Sequence, residues 1–390
     1  MHKNAALEGE TSADYTVLKL PIVLGSLALT MLSFLIPIYA KQLGASAVGI
    51  GGLFAVAQGM IVLLRPVIGW TSDRFGRKGF FVAGIVCHTG AMGLFVLASN
   101  ITMLYLGQLL YGIASAVTWT SAYTITTELA TPAHRGKALG RVDEYAHRGA
   151  LYGMVLALVV LSWLTLHAAW RLLFLSYAAL AAAGIWLAWQ RVPETRPASP
   201  PQAGPQSMVS WPFVQVLLVV FLIYLCTAML RPVFLVFLQD EFTQDVRLLA
   251  LAFLPATLLE SFLPSRLGLL SDRWGRRPLI ITGLTWMGLS CVCISTFPHL
   301  GWVMVLWTLK TLGLAAALPP QKALISDLTG HAQRGTGYGL STFAASLGAT
   351  VGPLLGGWVY DSVGHGTPFV LTGIIFLASP GWVSLLLPRR

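Results

Sequence analysis

Apolar runs of about 20 residues, each long enough to cross a bilayer core as a helix, recur along the chain between short polar segments. The pattern predicts helices near 16–40, 46–70, 79–98, 100–127, 136–164 and 168–190. A second set is predicted near 211–237, 246–269, 278–297, 300–326, 334–360 and 365–387. The first long apolar stretch begins near Leu20 and reads as part of the fold, not as a removable leader. Between the two sets, Val192–Ser210 holds Pro193, Pro197, Pro200, Pro201 and Pro205 among polar residues, the composition of a linker. The expected architecture is an all-α membrane protein of twelve transmembrane helices in two pseudo-symmetric six-helix bundles. Residues 1–191 form the first bundle, 192–210 the linker and 211–390 the second bundle.

Composition supports this reading and narrows the function classes. Of 390 residues, 56% are hydrophobic and 10% charged, whereas a soluble domain carries roughly a quarter charged residues. The net charge of +10 raises the question of a nucleic-acid partner, but the basic residues gather in alternate loops. These are Arg74, Arg77 and Lys78; Arg135 and Lys137; Arg191 and Arg196; Arg273, Arg276 and Arg277; Arg334; and Arg389 with Arg390. The intervening loops hold little beyond Lys41, Arg171 and Arg247. That bias is a topology signal and predicts a multi-pass cell-membrane protein with both termini in the cytoplasm and no nucleic-acid partner. Cys87, Cys226, Cys291 and Cys293 all fall in apolar spans and read as small core residues. No nucleophile–base constellation, phosphate loop or metal-ligand spacing is present in the sequence, so neither an enzyme, a cofactor nor a metal is expected.

The halves repeat. Gly69-Trp-Thr-Ser-Asp73-Arg74-Phe-Gly76-Arg77-Lys78 aligns with Gly268-Leu-Leu-Ser-Asp272-Arg273-Trp-Gly275-Arg276-Arg277 at a shift of 199 positions. The same shift carries Glu128 onto Asp327, Arg135-Gly136 onto Arg334-Gly335, and Gly140, Gly149 and Gly153 onto Gly339, Gly348 and Gly352. Parallel six-helix repeats are a transporter architecture with the substrate site at their interface. With its Gly-x-x-x-Asp-Arg-x-Gly-Arg-Arg/Lys loop in both expected places, the chain resembles the major facilitator superfamily over essentially its full length. That resemblance implies a secondary transporter working by alternating access.

Gly69 and Gly268 are expected to end their helices and let a neighbour approach closely. Asp73 and Asp272 stand where a carboxylate caps the positive N-terminus of a helix. By resemblance, the capped helices are the eleventh, near Arg334, and the fifth, near Arg135. Arg77 and Arg276 are then placed to pair with Glu128 and Asp327, so that the two loops latch one side of the transporter shut. The alternative is that these charges only set topology.

The fifth predicted span carries Asp143, Glu144, His147 and Arg148 within an arc of about 140° on a helix. Asp143 reaches His147, and Glu144 reaches Arg148, at i,i+4 spacing. On the other side Ala146, Gly149 and Gly153 offer a small-residue face for tight packing. Each central charge costs roughly 2.5–3.5 kcal/mol of insertion energy and each Leu or Val returns about 0.3–0.6, so the charged face is expected to line a cavity. A structural ion-pair cluster is the alternative. Any proton carrier is sought among Asp143, Glu144, His147 and Glu260, with Glu260 favoured because Arg148 opposes protonation of Glu144. Arg148, Arg231 and Lys310 are read as buried bases that favour an anionic solute or else pair locally, and Gln58, Gln108, Trp119 and Trp307 as cavity-lining candidates.

Two features depart from the proton-coupled exporters of that family. Gln108 stands, before Gly112, where they carry an Arg. The Gly-x-x-x-Gly-Pro-x-x-Gly-Gly pattern of their fifth helix occurs here on the eleventh, at Gly348, Gly352-Pro353 and Gly356-Gly357, while Met154 replaces the proline on the fifth. The resulting expectation is a monomeric transporter of a small organic solute, anionic or amphipathic, with proton-coupled efflux placed first. Uptake or facilitated diffusion of an organic anion comes second, a lipid flippase third, and a transport-dead receptor or assembly factor last.

Overall fold

A computed structural model describes residues 15–130, 135–195, 211–263, 267 and 275–386. It describes no side chain at 15, 135–137, 212, 260–262, 276, 319, 322–336, 338 and 382–386. Every regular element among the described residues is helical. A short 3-10 turn at Tyr15–Leu18 leads into α1 (Lys19–Gly25), α2 (Ala28–Gln42), α3 (Ala47–Phe75), α4 (Lys78–Leu97), α5 (Ile101–Leu129), α6 (Arg135–Trp163) and α7 (Leu166–Arg191). There follow α8 (Trp211–Glu241), α9 (Val246–Phe262), α10 (Arg276–Ile294), α11 (Leu300–Ser362) and α12 (Thr367–Leu386). Ten spans within these are long and apolar enough to cross a membrane, and two shorter apolar helices, Val246–Leu259 and Thr367–Gly381, accompany them.

Two departures from the sequence pattern have physical causes. The first predicted span is not one helix: α1 stops at Gly25, Ser26 and Leu27 turn, and α2 begins at Ala28. The tenth and eleventh predicted spans are joined, with Leu300–Leu318 and Gly339–Ser362 as the two apolar parts of α11. A dip in hydropathy marks where a chain leaves the bilayer, and the connector's Ala, Leu, Gln and Lys residues still favour helix.

Contacts divide the chain into two compact units. One contains Met1–Tyr39 and Val56–Ala203, the other Ala40–Ala55 and Gly204–Arg390. Residues 40–55, which include the start of α3, therefore pack within the second unit. In the first unit, Phe81, Val82 and Ile85 of α4 meet Ile125 of α5, Val142 and Tyr145 of α6, and Ile22 of α1. Above them Tyr39 stacks on Trp170 with centroids 4.0 Å apart, and Trp170 Nε1 donates to the Phe95 carbonyl at 2.6 Å. The second unit has its own aromatic stack, Phe234 on Trp307 at 3.7 Å, with Phe253 and Phe369 beside it.

The sequence repeat is also a packing repeat. A Cβ placed on Gly149 or Gly153 of α6 would lie 2.4 Å from Val23 O or 1.8 Å from Leu27 O. On α11, Gly348 and Gly352 would collide in the same way with Phe221 O at 2.5 Å and Leu225 O at 2.4 Å. Each seam brings helix backbones together where only hydrogen fits, the small-residue packing of membrane helices.

Candidate functional site

Glycine also shapes the 73–78 loop. Gly76 sits at φ +94°, a left-handed turn between α3 and α4, and Gly275 repeats it at φ +88° before α10. Any side chain at Gly76 would point into Glu194, 2.7 Å from its Oε1. Glu194 Oε1 accepts from Arg77 N at 2.6 Å and Lys78 N at 3.3 Å, so it caps the free N–H groups that open α4. Arg77, only 4% exposed, lies between Asp73 (Nη1 to Oδ1, 2.9 Å) and Glu128 of α5 (Nε to Oε1, 2.7 Å). The Glu128 contact is an ion pair and not an aligned hydrogen bond. Arg74 stacks on Trp70.

Gly69 corrects an expectation. It does not end its helix, which runs on to Phe75, and among the described residues a Cβ there would meet nothing within 4 Å. Gly268, Asp272 and Arg273 lie outside the described residues, as do the linker residues 196–210. So do the side chains of Arg276, Asp327 and Glu260.

On α6 the polar residues separate into two groups. Asp143 is half-buried, and its Oδ1 accepts from Tyr123 Oη of α5 at 2.6 Å. The expected Asp143–His147 side-chain pair does not form: His147 Nδ1 donates to the backbone carbonyl of Asp143 at 2.7 Å, a bond within the helix that leaves the carboxylate to Tyr123. Glu144 and Arg148, 47% and 51% exposed, pair with each other on the open face of α6, with Tyr152 and Val155 continuing that face. Trp119 tilts against Tyr123 at 5.6 Å. Beside Asp143 lies a shallow, open hollow of about 390 Å³ lined also by Tyr123, Thr124, Thr127 and Leu139.

The remaining candidates are scattered. Gln108 is buried and Gln58 half-buried. Arg231 is exposed on α8. Lys310 is buried, 3% exposed, with its ammonium 4.2 Å from the Trp307 ring centroid. Position along a span showed that Lys310 was deep in the protein but not which way it pointed.

A second polar cluster went unnoticed in the sequence. At the start of α3, Asp361 accepts from Ala47 N at 3.2 Å and Val48 N at 2.9 Å, capping the helix. Lys41 forms an ion pair with Asp240, whose other oxygen accepts from Tyr360 Oη at 2.7 Å. Tyr360 stacks on His365, which meets Glu241 at 2.6 Å. Lys41, Asp240 and Asp361 stand at helix ends far apart in sequence, so neither spacing nor periodicity links them. Glu194 hid for the same reason, as an isolated acid after a helix.

A bundle of apolar helices built as a twofold packing repeat, with acids and bases gathered on α6 and in the loop before α4, defines a multi-pass membrane transport protein. The Major Facilitator Superfamily model matches residues 22–215 and again 216–390. The chain belongs to that superfamily. It is 23% identical over 355 residues to Multidrug resistance protein 1 of Bacillus subtilis (strain 168), covering 89% of each chain. It is 24% identical over 341 residues to the chromaffin granule amine transporter of Homo sapiens, covering 84% of this chain and 63% of that one. Among solved structures, a bacterial homolog of the human lysosomal transporter Spinster superposes with a TM-score of 0.74 at 17% identity, covering 95% and 96% of the two chains. The human organic anion transporter MFSD10 superposes with a TM-score of 0.69 at 18% identity, covering 95% and 98%. Family and fold together indicate transport of a small molecule, not catalysis.

Proposed function

We propose that this protein is a proton-coupled exporter of small organic cations, working as a monomer by alternating access in the cell membrane with both termini in the cytoplasm. The observation that carries this reading is the Asp143–Tyr123 hydrogen bond at the edge of the open hollow beside α6. A carboxylate held by a phenol and neighboured by Trp119 combines the two elements that recognise an organic cation, a counter-charge and aromatic faces. The same carboxylate exchanges a proton when the cation leaves, which couples the two fluxes. Intramembrane acids have this role by default because lipid would penalise them heavily. Glu144 and Arg148 line the same route as a self-neutralised pair. The name of one relative, an amine transporter, fits the same substrate class, and that of another, a multidrug resistance protein, fits export.

In this reading the Asp73–Arg77–Glu128 group within the first unit, and the Lys41–Asp240–Tyr360 group with the Asp361 cap within the second, rearrange as the transporter changes state. The two clusters break and re-form in alternation.

The test is uptake of a lipophilic cation into inside-out vesicles under an imposed pH gradient. Wild-type protein should concentrate the cation, collapse on addition of a protonophore, and lose at least about tenfold in rate as Asp143→Asn. Gradient-independent movement of anions, unaffected by Asp143→Asn, would replace this reading with organic-anion transport.

A further inference from the structure

The first spans of the two halves differ in a way that their shared packing does not require. In the first half the span breaks at Ser26 and Leu27 between α1 and α2, whereas its counterpart α8 is a single helix from Trp211 to Glu241. No proline sits at the break, which falls at the Gly25–Ser26 pair, itself a weak point of a helix that an inserted water can open; Pro21 lies in the first turn of α1 and Pro37 far along α2. A break at membrane depth is tolerated where protein or water satisfies the backbone, and an inserted water is one of the few established causes of a helix break.

Against the break lies a cavity of about 20 Å³ lined by Gly25, Ser26, His88, Thr118 and Trp119, among others. His88, on α4, is 7% exposed, and its ring is tilted 5.1 Å from that of Tyr111. Its Nε2 and the Oγ1 of Thr118 are buried and without a hydrogen-bond partner among the described residues. Ser115 Oγ, one turn before Thr118, shares that condition. A cavity of roughly 10–15 Å³ with two to four polar partners suffices for one water, and unpaired buried polar groups are otherwise costly.

The second half provides an internal control. At the shift of 199, Ser26, His88, Ser115 and Thr118 become Leu225, Met287, Leu314 and Ala317, all apolar. Met287 and Ala317 are fully buried. The surrounding helix pair packs alike in both halves: a Cβ on Gly84 would lie 2.7 Å from Thr118 N, and one on Gly283 3.1 Å from Ala317 N. The architecture therefore works with an apolar layer and an unbroken span, and only the first half departs from it.

We propose that this cavity is a binding site for one water molecule. The water bridges His88 Nε2 and Thr118 Oγ1 across α4 and α5, against Ser26 where the first span turns. No carboxylate lines the cavity, which makes neutral water, not a metal cation, the ligand that fits. A break filled by an exchangeable molecule gives the first half a pliable span that the second half lacks.

Two measurements on the purified protein test this, and neither needs a substrate or a proton gradient. The first is the apparent unfolding temperature of His88→Met, Thr118→Ala and the double variant, which transplants the residues of the second half. A bridging water makes the losses non-additive: each single variant should fall by about 2–4 °C and the double variant by no more than the larger single loss. Additive losses would overturn the bridge. The second is hydrogen–deuterium exchange, which in the wild-type protein needs no variant. Peptides covering 22–32 should exchange at least about tenfold faster than those covering 221–231. Equal protection in the two segments would show that no water reaches the break.

Discussion

Helix α6 and the last third of α11 occupy corresponding places in the repeat, yet they share only one face. Gly149 and Gly153 seat α6 on the first span just as Gly348 and Gly352 seat α11 on α8. On the other face, Asp143, Glu144, His147 and Arg148 correspond to Thr342, Phe343, Ser346 and Leu347. Phe343 and Leu347 are 54% and 38% exposed, as open as Glu144 and Arg148. Packing therefore fixes one side of these helices in both halves and leaves the other side free to differ. Lipid tolerates the apolar version at no cost, while each charge costs a few kcal/mol unless it faces water or a partner. The seam belongs to the architecture, and the charged face of α6 is where the two halves differ.

The largest effect should come from breaking the seam. Gly153→Leu would drive a side chain into backbone carbonyls 1.8 Å from its Cβ, and backbone cannot move aside as a flexible side chain can. Overpacking typically costs about 1–3 kcal/mol or more, so this variant should fail to yield monodisperse protein, and Gly352→Leu should behave likewise. Gly140→Leu, where a Cβ meets nothing within 4 Å among the described residues, is the matched control and should purify normally. Normal size-exclusion profiles for all three variants would remove the structural half of the comparison.

Next in size is the exchange of faces. The double variant Glu144→Phe/Arg148→Leu gives α6 the open face of α11. It should fold about as stably as wild type, because the corresponding open face of α11 already carries these apolar residues within the same packing. Cation uptake should nevertheless fall by about tenfold or more. Undiminished uptake would mean that this face is a structural ion-pair strip, leaving Asp143 to act alone. The reverse exchange, Phe343→Glu/Leu347→Arg, should cost stability and confer nothing.

These contrasts show which features were legible in the chain. Apolar period and length predicted the spans, and a gapless shift of 199 predicted the repeat, because both depend on local patterns that every segment carries by itself. The Arg77–Glu128 contact could be anticipated from the family resemblance, and the Glu144–Arg148 pair from i,i+4 spacing. The partner of Asp143 could not, since Tyr123 comes from another helix and aromatic residues in spans are usually packing. The break at Ser26–Leu27 was hidden by an uninterrupted apolar run: hydropathy reports the depth of a residue, not the hydrogen bonding of its backbone. Lys310 illustrates the same limit, being correctly deep but turned onto Trp307.

The smallest effect concerns the ends of helices, where the two polar clusters do similar work by different means. Asp361 caps α3 from a distant helix and Glu194 caps α4 from the chain after α7, each accepting two backbone N–H groups. Removing a capping acceptor costs about 0.5–2 kcal/mol, and Glu194, being exposed, belongs at the low end of that range. Separating charge from hydrogen bonding requires two substitutions. Glu194→Gln keeps an oxygen acceptor and loses only the attraction of a carboxylate to the helix N-terminus, about 0.3–1 kcal/mol and screened by salt. Glu194→Ala also removes the acceptor and leaves the Arg77 and Lys78 amides to water. The unfolding temperature should therefore fall in the order wild type, Gln, Ala, and raising the ionic strength should narrow only the first interval. If Gln and Ala are equivalent at every salt concentration, the carboxylate acts through its charge alone, and the short 2.6 Å contact to Arg77 N contributes nothing as a hydrogen bond.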